Sequence, residues 1–233
     1  MYDPELVSLP PNVGVPAENE PPARKTGIAR QLAAGMDMNG WRKHWAAHLA
    51  LVSYADSLVG EFIERLKEKG VYDDTVVVFT TDHGEHLGQH DMYQKFELYE
   101  QCINIPLIIK SPGRGPAVRR EVVSHIDVTP TLCELLGLPK PERLDGISLV
   151  PALDGRPVED DRAIFLNWTI SPQADDIRRG LVNAGYKYIE DERGGRELYD
   201  LKNDPLERIN LAGEKKHAGI VSAFATRCGE FFH

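Results

Sequence analysis

The residues best placed to do chemistry lie in Thr80-Thr81-Asp82-His83-Gly84-Glu85-His86-Leu87-Gly88-Gln89-His90, with Lys95 shortly after. Asp82 offers a hard oxygen and His83 a nitrogen, so two adjacent side chains can reach one cation. Gly84 and Gly88 let the backbone turn sharply or approach another segment closely. Lys95 supplies a point positive charge suited to an anionic oxygen. A plainer reading stands beside this one. Asp-His-Gly is a common turn, and His86 and His90 are more often surface or hydrogen-bonded histidines than ligands. A catalytic role for His90 stays open. So does a zinc site built from His83, His86 and His90, although Gly84 and Gly88 work against the single helix face that their spacing would need.

The elements that must position these groups can be read outward from them. Thr75–Thr80 is a short β-branched run that reads as a strand buried on both faces, the kind found in parallel sheets. Ligands of open α/β sheets bind at the carboxyl ends of such strands, where Asp82 sits. Upstream, Trp45, Leu49, Val52, Val59, Ile63 and Leu66 recur at helical steps, with Lys67, Lys69 and Gly70 as a stop. Downstream, Ile105–Ile109 reads as a second core strand. Thr129 as N-cap and Pro130 at the first helical position open a helix that stops near Gly137. Helix, strand, strand and helix in this order indicate an α/β fold.

The ends differ in texture. Residues 1–35 carry Pro4, Pro10, Pro11, Pro16, Pro21 and Pro22 without an apolar period, and read as an extended arm. After 36–155, residues 156–233 hold short strand-like runs at Ala163–Trp168, Arg178–Asn183, Tyr186–Glu190 and Glu197–Leu201, then a helix near Ala218–Phe231. They predict a small antiparallel sheet with a terminal helix.

The 233 residues are 42% hydrophobic, enough for a real core. A formal net charge of −9 argues against nucleic acid as a partner. No apolar run approaches the roughly 20 residues of a membrane helix, so no membrane partner is expected. Cys102, Cys133 and Cys228 are scattered, which points to buried thiols rather than disulfides or a zinc cluster.

The wider pattern resembles the sulfatase family of the alkaline-phosphatase superfamily. The Asp82–His90 motif with Lys95 is followed by Tyr99-Glu100, Pro106–Ile109, Ser124–Leu132 and Leu144–Leu149. It closes with Glu197-Leu198-Tyr199-Asp200-Leu201, Asp204-Pro205, Glu207 and Asn210-Leu211; Tyr54–Gly60 fits the preceding helix. The resemblance implies an α/β fold: the C-terminal part of the alkaline-phosphatase-like sulfatase sandwich, then a small antiparallel β subdomain with a terminal helix. It implies a sulfuric ester hydrolase acting on a sulfate-ester small molecule or glycan. Asp82 and His83 take the family's divalent-cation positions, with Ca2+ expected and Mn2+ the alternative because His83 is a nitrogen donor. Lys95 takes the position of the lysine that contacts the sulfate.

The departures are as informative. The family nucleophile is a formylglycine made from Cys or Ser in a Cys/Ser-x-Pro-x-Arg motif, and no cysteine or serine of this sequence sits in that motif. The family's first Asp-Asp metal pair and its Pro-His-x-Pro segment are not seen either. Tyr2-Asp3-Pro4-Glu5 through Leu9–Asn12 resembles the stretch that follows that segment, so Met1 reads as an internal methionine of a truncated, split or late-started gene. The expectation is a C-terminal portion with a partial metal and sulfate site, inactive alone and a possible partner of an N-terminal sulfatase fragment. A non-catalytic metal-binding remnant and a phosphonate or phosphate ester hydrolase are the alternatives. The compartment is not indicated.

Asp127 reads as support for a helix start and His125 as a packing residue near the rim. Arg114, Arg119 and Arg120 read as a solvated cluster, and Trp168 as a wall of the substrate entrance.

Overall fold

The computed structural model describes residues 2–158, 162–169 and 177–232. The proline-rich start is folded against the rest rather than extended away from it. It forms α1 (Pro22–Thr26) and α2 (Ile28–Ala33), and buries Val13, Ala17, Arg24, Ala29 and Ala33. The arm expected from the prolines is therefore corrected. Pro22 sits at the start of a helix, where a missing N–H costs nothing. The anchors are one arginine and several alanines, which apolar periodicity does not weigh. Isolated bridges tie Val13 to Gln89 and Glu18 to Ile209.

Helix α3 (Met38–Glu68) starts at Asp37, whose side chain accepts a hydrogen bond from the Gly40 amide at 2.7 Å. It ends before Gly70, whose φ of +67° suits glycine. The helix is as predicted, but its packing is not. Only Trp41 and Ala46 are buried, while Val52 and Val59 of the expected core face lie open to solvent.

Strand β1 (Val77–Thr80) pairs antiparallel with β2 (Leu107–Lys110), in a register running from Val77 opposite Lys110 to Thr80 opposite Leu107. The expectation of parallel strands buried on both faces fails here. The intervening chain, with the one-turn helix α4 (Glu100–Ile103), folds back without the crossover a parallel pair requires. Phe79 and Ile108 face each other across the pair, both exposed.

A 3-10 turn at His125–Asp127 runs into α5 (Val128–Leu135), and α6 (Val150–Leu153) follows. The start expected at Thr129 is set instead by Asp127. Its carboxylate accepts from the Ser124 amide at 2.7 Å and the Ile147 amide at 3.0 Å, and meets the Arg162 fork at 2.7 and 2.8 Å. Gly137, at φ +63°, stops the helix as expected.

The C-terminal sheet matches its prediction closely. Strands β3 (Ile164–Trp168), β4 (Arg178–Val182), β5 (Tyr186–Asp191) and β6 (Arg196–Asp200) form an antiparallel meander in sequence order. Because successive side chains alternate, Leu181, Tyr188 and Leu198 pack on Val221, Phe224 and Cys228 of helix α7 (Ala218–Phe232). Ile189 and Tyr199 face the other way, onto Ala29, Met92, Leu98 and Tyr99. Buried Lys187 of β5 reaches Glu207 and Glu100, each at 2.7 Å, and so pins this sheet to the start of α4.

Candidate active-site cleft

The segment that follows β1 is held by main-chain contacts. The Gly84 amide donates to the Cys102 carbonyl at 2.8 Å and the Glu85 amide to the Gln101 carbonyl at 2.9 Å. A Cβ at Gly84 would lie 2.0 Å from the Gln101 oxygen, so the approach requires glycine. The Gly88 carbonyl accepts from Gly14 and the Asn12 carbonyl from His90. Leu87, Gly88, His90, Asp91 and Gln94 all have positive φ, which marks a tightly wound loop.

This winding brings Asp82, His83 and Lys95 together. Nδ1 of His83 lies 2.8 Å from the Gly84 carbonyl, and a carbonyl only accepts, so Nδ1 carries the proton. Nε2 is then left as an acceptor, 2.6 Å from the Lys95 ammonium and 3.3 Å from Oδ2 of Asp82. A hydrogen bond from the His83 amide to the Asp82 carboxylate, at 2.9 Å, holds that carboxyl below the usual range. The Asp82 side chain is 84% exposed and free to bind. One carboxylate and one imidazole with its tautomer set this way suit a divalent cation. Among the described residues no group of three or more His, Cys, Asp or Glu able to hold a metal is found, so the pair offers two donors.

These groups open onto a cleft of about 720 Å³ between the β1 end and the C-terminal sheet. Its lining includes Lys95, Arg119, Arg120, Ser124, His125, Asn167, Trp168 and Asn183. His125 is tied by Nε2 to the Thr80 hydroxyl at 2.8 Å. Arg119 is oriented by a hydrogen bond to the Ala152 carbonyl at 2.6 Å, whereas Arg114 turns to Asp154 at 2.8 Å. Trp168 packs its ring edge against Phe96 and stacks under the Arg178 guanidinium, 4.7 Å away. Sequence reasoning missed Ser124 and Asn183. Asn183 signals only the turn before β5, where its Oδ1 accepts from the Gly185 and Tyr186 amides.

His90 is not brought to this cleft. It is 1% exposed and stacked on Tyr99, with ring centres 4.3 Å apart, and His86 stands edge-on to the same tyrosine. Burial holds both imidazoles neutral, pushed down to about 3. The zinc cluster of His83, His86 and His90 is not formed, since His83 faces the cleft and the other two face the interior.

The sulfatase family model matches residues 13–138, and the model for the N-sulphoglucosamine sulphohydrolase C-terminal region matches 88–231. A choline-sulfatase of Rhizobium meliloti is 35% identical over 175 residues, covering 73% of this chain and 33% of its own length. A multifunctional alkaline phosphatase superfamily protein, PehA of Trinickia caryophylli, is 32% identical, covering 83% and 41%. Among solved structures, a 2-O GAG sulfatase superposes with a TM-score of 0.88 at 27% identity, covering 97% of this chain and 52% of its own. A phosphonate monoester hydrolase from Silicibacter pomeroyi gives 0.82 at 28%, covering 97% and 50%. The chain thus spans about a third to two fifths of the curated relatives it matches and half of these solved chains. With Asp82, His83 and Lys95 on the loop after β1 and an α/β fold shared with those structures, the chain belongs to the sulfatase family of the alkaline-phosphatase-like superfamily.

Proposed function

We propose that this chain supplies the charge-handling part of a sulfuric ester hydrolase. The convergence of Asp82, His83 and Lys95 at the mouth of one cleft carries the reading. Asp82 and His83 would hold a divalent cation, calcium or manganese, which supplies Lewis-acid stabilisation of substrate oxygens when bound. Lys95 places an ammonium where a sulfate ester develops negative charge, and such a preorganised cation favours the transition state over the ground state. The Gly84 carbonyl keeps the His83 tautomer that leaves Nε2 available. Arg120, exposed along the same cleft, would add positive potential for an anionic substrate such as a sulfated sugar.

No residue of this chain is assigned as the nucleophile, because no cysteine or serine sits in a Cys/Ser-x-Pro-x-Arg motif. Cys102 is buried, and burial raises its thiol far above the ordinary range, so it is no substitute. The chain alone is expected to bind cation and sulfate without turnover. Titration with Ca2+ or Mn2+ and a chromogenic aryl sulfate tests this. Stoichiometric cation binding lost in Asp82→Ala, with no hydrolysis, supports the reading. Cation-dependent hydrolysis by the chain alone would overturn the absence of a nucleophile, and no cation binding would sink the site.

Phosphonate ester hydrolysis is the second reading, favoured by the fold shared with phosphonate monoester hydrolases. An aryl phosphonate assayed beside an aryl sulfate, in an assembly that turns over, separates the two.

A further inference from the structure

Lys95, Phe96 and Glu97 are consecutive, and each is used differently. Lys95 stands 2.6 Å from Nε2 of His83 at the cleft. Phe96 packs on the indole of Trp168, with ring centres 6.0 Å apart and planes at 73°. Glu97 is buried and meets Nε of Arg178 at 2.7 Å. Arg178 lies directly opposite Trp168 in the β3–β4 register, and its guanidinium sits 4.7 Å from the centre of the same indole. One tripeptide therefore places a cation in the cleft and supports Trp168 from two sides. An arginine at a strand end ordinarily reaches for water with its charged head. Here its side chain is only 6% exposed, drawn back over the indole toward the carboxylate. Arg24 is the more distant partner of Glu97, at 3.4 Å, because its guanidinium is held at 2.6 Å by Glu197.

Trp168 is half-buried and belongs to the lining of the cleft of about 720 Å³. A cleft of that size takes far more than a sulfate group, so the organic part of an ester lies within it too. An indole held in one orientation offers a ring-shaped ligand a large contact area at little cost in side-chain freedom. We propose that Glu97 is a positioning residue and Trp168 a specificity-determining one: Glu97 acts through Arg178, with Phe96 as the second support, to fix the indole as a platform for the ring of an aryl or sugar sulfate whose anionic end lies at Lys95. An acyclic alkyl sulfate leaves that platform unused. This deepens the sulfate-ester reading above and rests on it for the anion alone.

The test is binding rather than turnover. The chain, labelled with fluorotryptophan, is titrated in Ca2+ with phenyl sulfate and with methyl sulfate; fluorine NMR reads each tryptophan and calorimetry reads affinity. The Trp168 resonance is the one lost in Trp168→Phe. Phenyl sulfate is expected to shift that resonance and not those of Trp41 and Trp45, and to bind about five- to tenfold tighter than methyl sulfate. Trp168→Leu should lower phenyl sulfate to the affinity of methyl sulfate, and Trp168→Phe should keep part of the difference. Glu97→Gln should move the Trp168 resonance of the free chain and cut the preference for phenyl sulfate about threefold or more. Tyr199→Phe, which disturbs the same buried network at Glu197, should do neither. If Glu97→Gln fails to fold, Phe96→Leu tests the second support by the same two readings. A Trp168 resonance unmoved by phenyl sulfate, an equal loss for both esters in Trp168→Leu, or an unchanged preference once either support is removed would each overturn the inference. The sulfate reading is scored separately: methyl sulfate affinity unchanged in Lys95→Met sinks that reading, while the response of Trp168 to phenyl sulfate still decides the platform.

Discussion

Arg24, from the first helix, meets Glu197 of the C-terminal sheet at 2.6 Å with neither side chain exposed. Glu97 and Asp191 stand at 3.4 and 3.6 Å from the same guanidinium, and Tyr99 and Tyr199 both donate to Glu197. Removing Arg24 strands several buried carboxylates in a low dielectric. Arg24→Met is expected to cost about 3–5 kcal/mol in urea unfolding. A loss within about 1 kcal/mol of wild type would show that the network is solvated and contributes little.

His86 and His90 should make the protein sensitive to mild acid. In the unfolded chain each takes a proton near pH 6.5, but burial holds the folded imidazoles neutral down to about 3. Their contribution is complete above pH 6.5 and is lost as pH falls toward 3, by about 2 kcal/mol for each histidine at pH 5. Glu97 and Glu207 work in the opposite sense. Burial raises both to about 7, so their contribution is present below pH 4.5 and lost as pH rises through 7. His90→Phe keeps a ring on Tyr99 and removes one titrating group. Comparing its unfolding free energy at pH 7 and 5 with that of wild type should show a drop smaller by about 2 kcal/mol, and identical drops would refute the assignment.

Asp127 carries the junction between β3 and the start of α5. Asp127→Ala frees the Arg162 fork and orphans the Ser124 and Ile147 amides, and should cost about 3–5 kcal/mol. Thermal melts of this variant beside Arg162→Met check it, and the double variant should lose less than the sum of the two.

Much of this was visible in the residues and some was not. The meander of β3 to β6 and the terminal helix were legible because alternation and turn residues are local signals. The Asp82, His83 and Lys95 group was legible as a motif, and the structure supplies what a motif lacks: the proton on Nδ1 of His83. The pairing of β1 was misread because a β-branched run says nothing about strand direction. The packed start was misread because Arg24 is a charged anchor, and charge ordinarily signals a surface.

Lys95 is predicted to act in the transition state. In an assembly that hydrolyses an aryl sulfate, Lys95→Met should lower kcat and kcat/KM together by about 10²–10³-fold. Cation affinity should not fall, because the ammonium no longer competes for Nε2 of His83. A change confined to KM would make Lys95 a ground-state contact instead.

Gly88 offers a test of the loop itself. Its φ is +89° and a Cβ there would lie 2.6 Å from the Trp41 ring. Gly88→Ala should destabilise by more than the 1–2 kcal/mol of left-handed strain alone, and Trp41→Leu in the same chain should restore part of the loss.

The loop bearing Asp82 and His83 is fastened by backbone atoms of Cys102 and Gln101, while the cleft it opens onto is also lined by Arg120, Trp168 and Asn183. Position and selectivity are thereby written in separate alphabets. Residues lining the cleft can therefore vary without disturbing the backbone contacts that hold Asp82 and His83 in place. This divides the labour in a way that lets the lining diverge without rebuilding the loop.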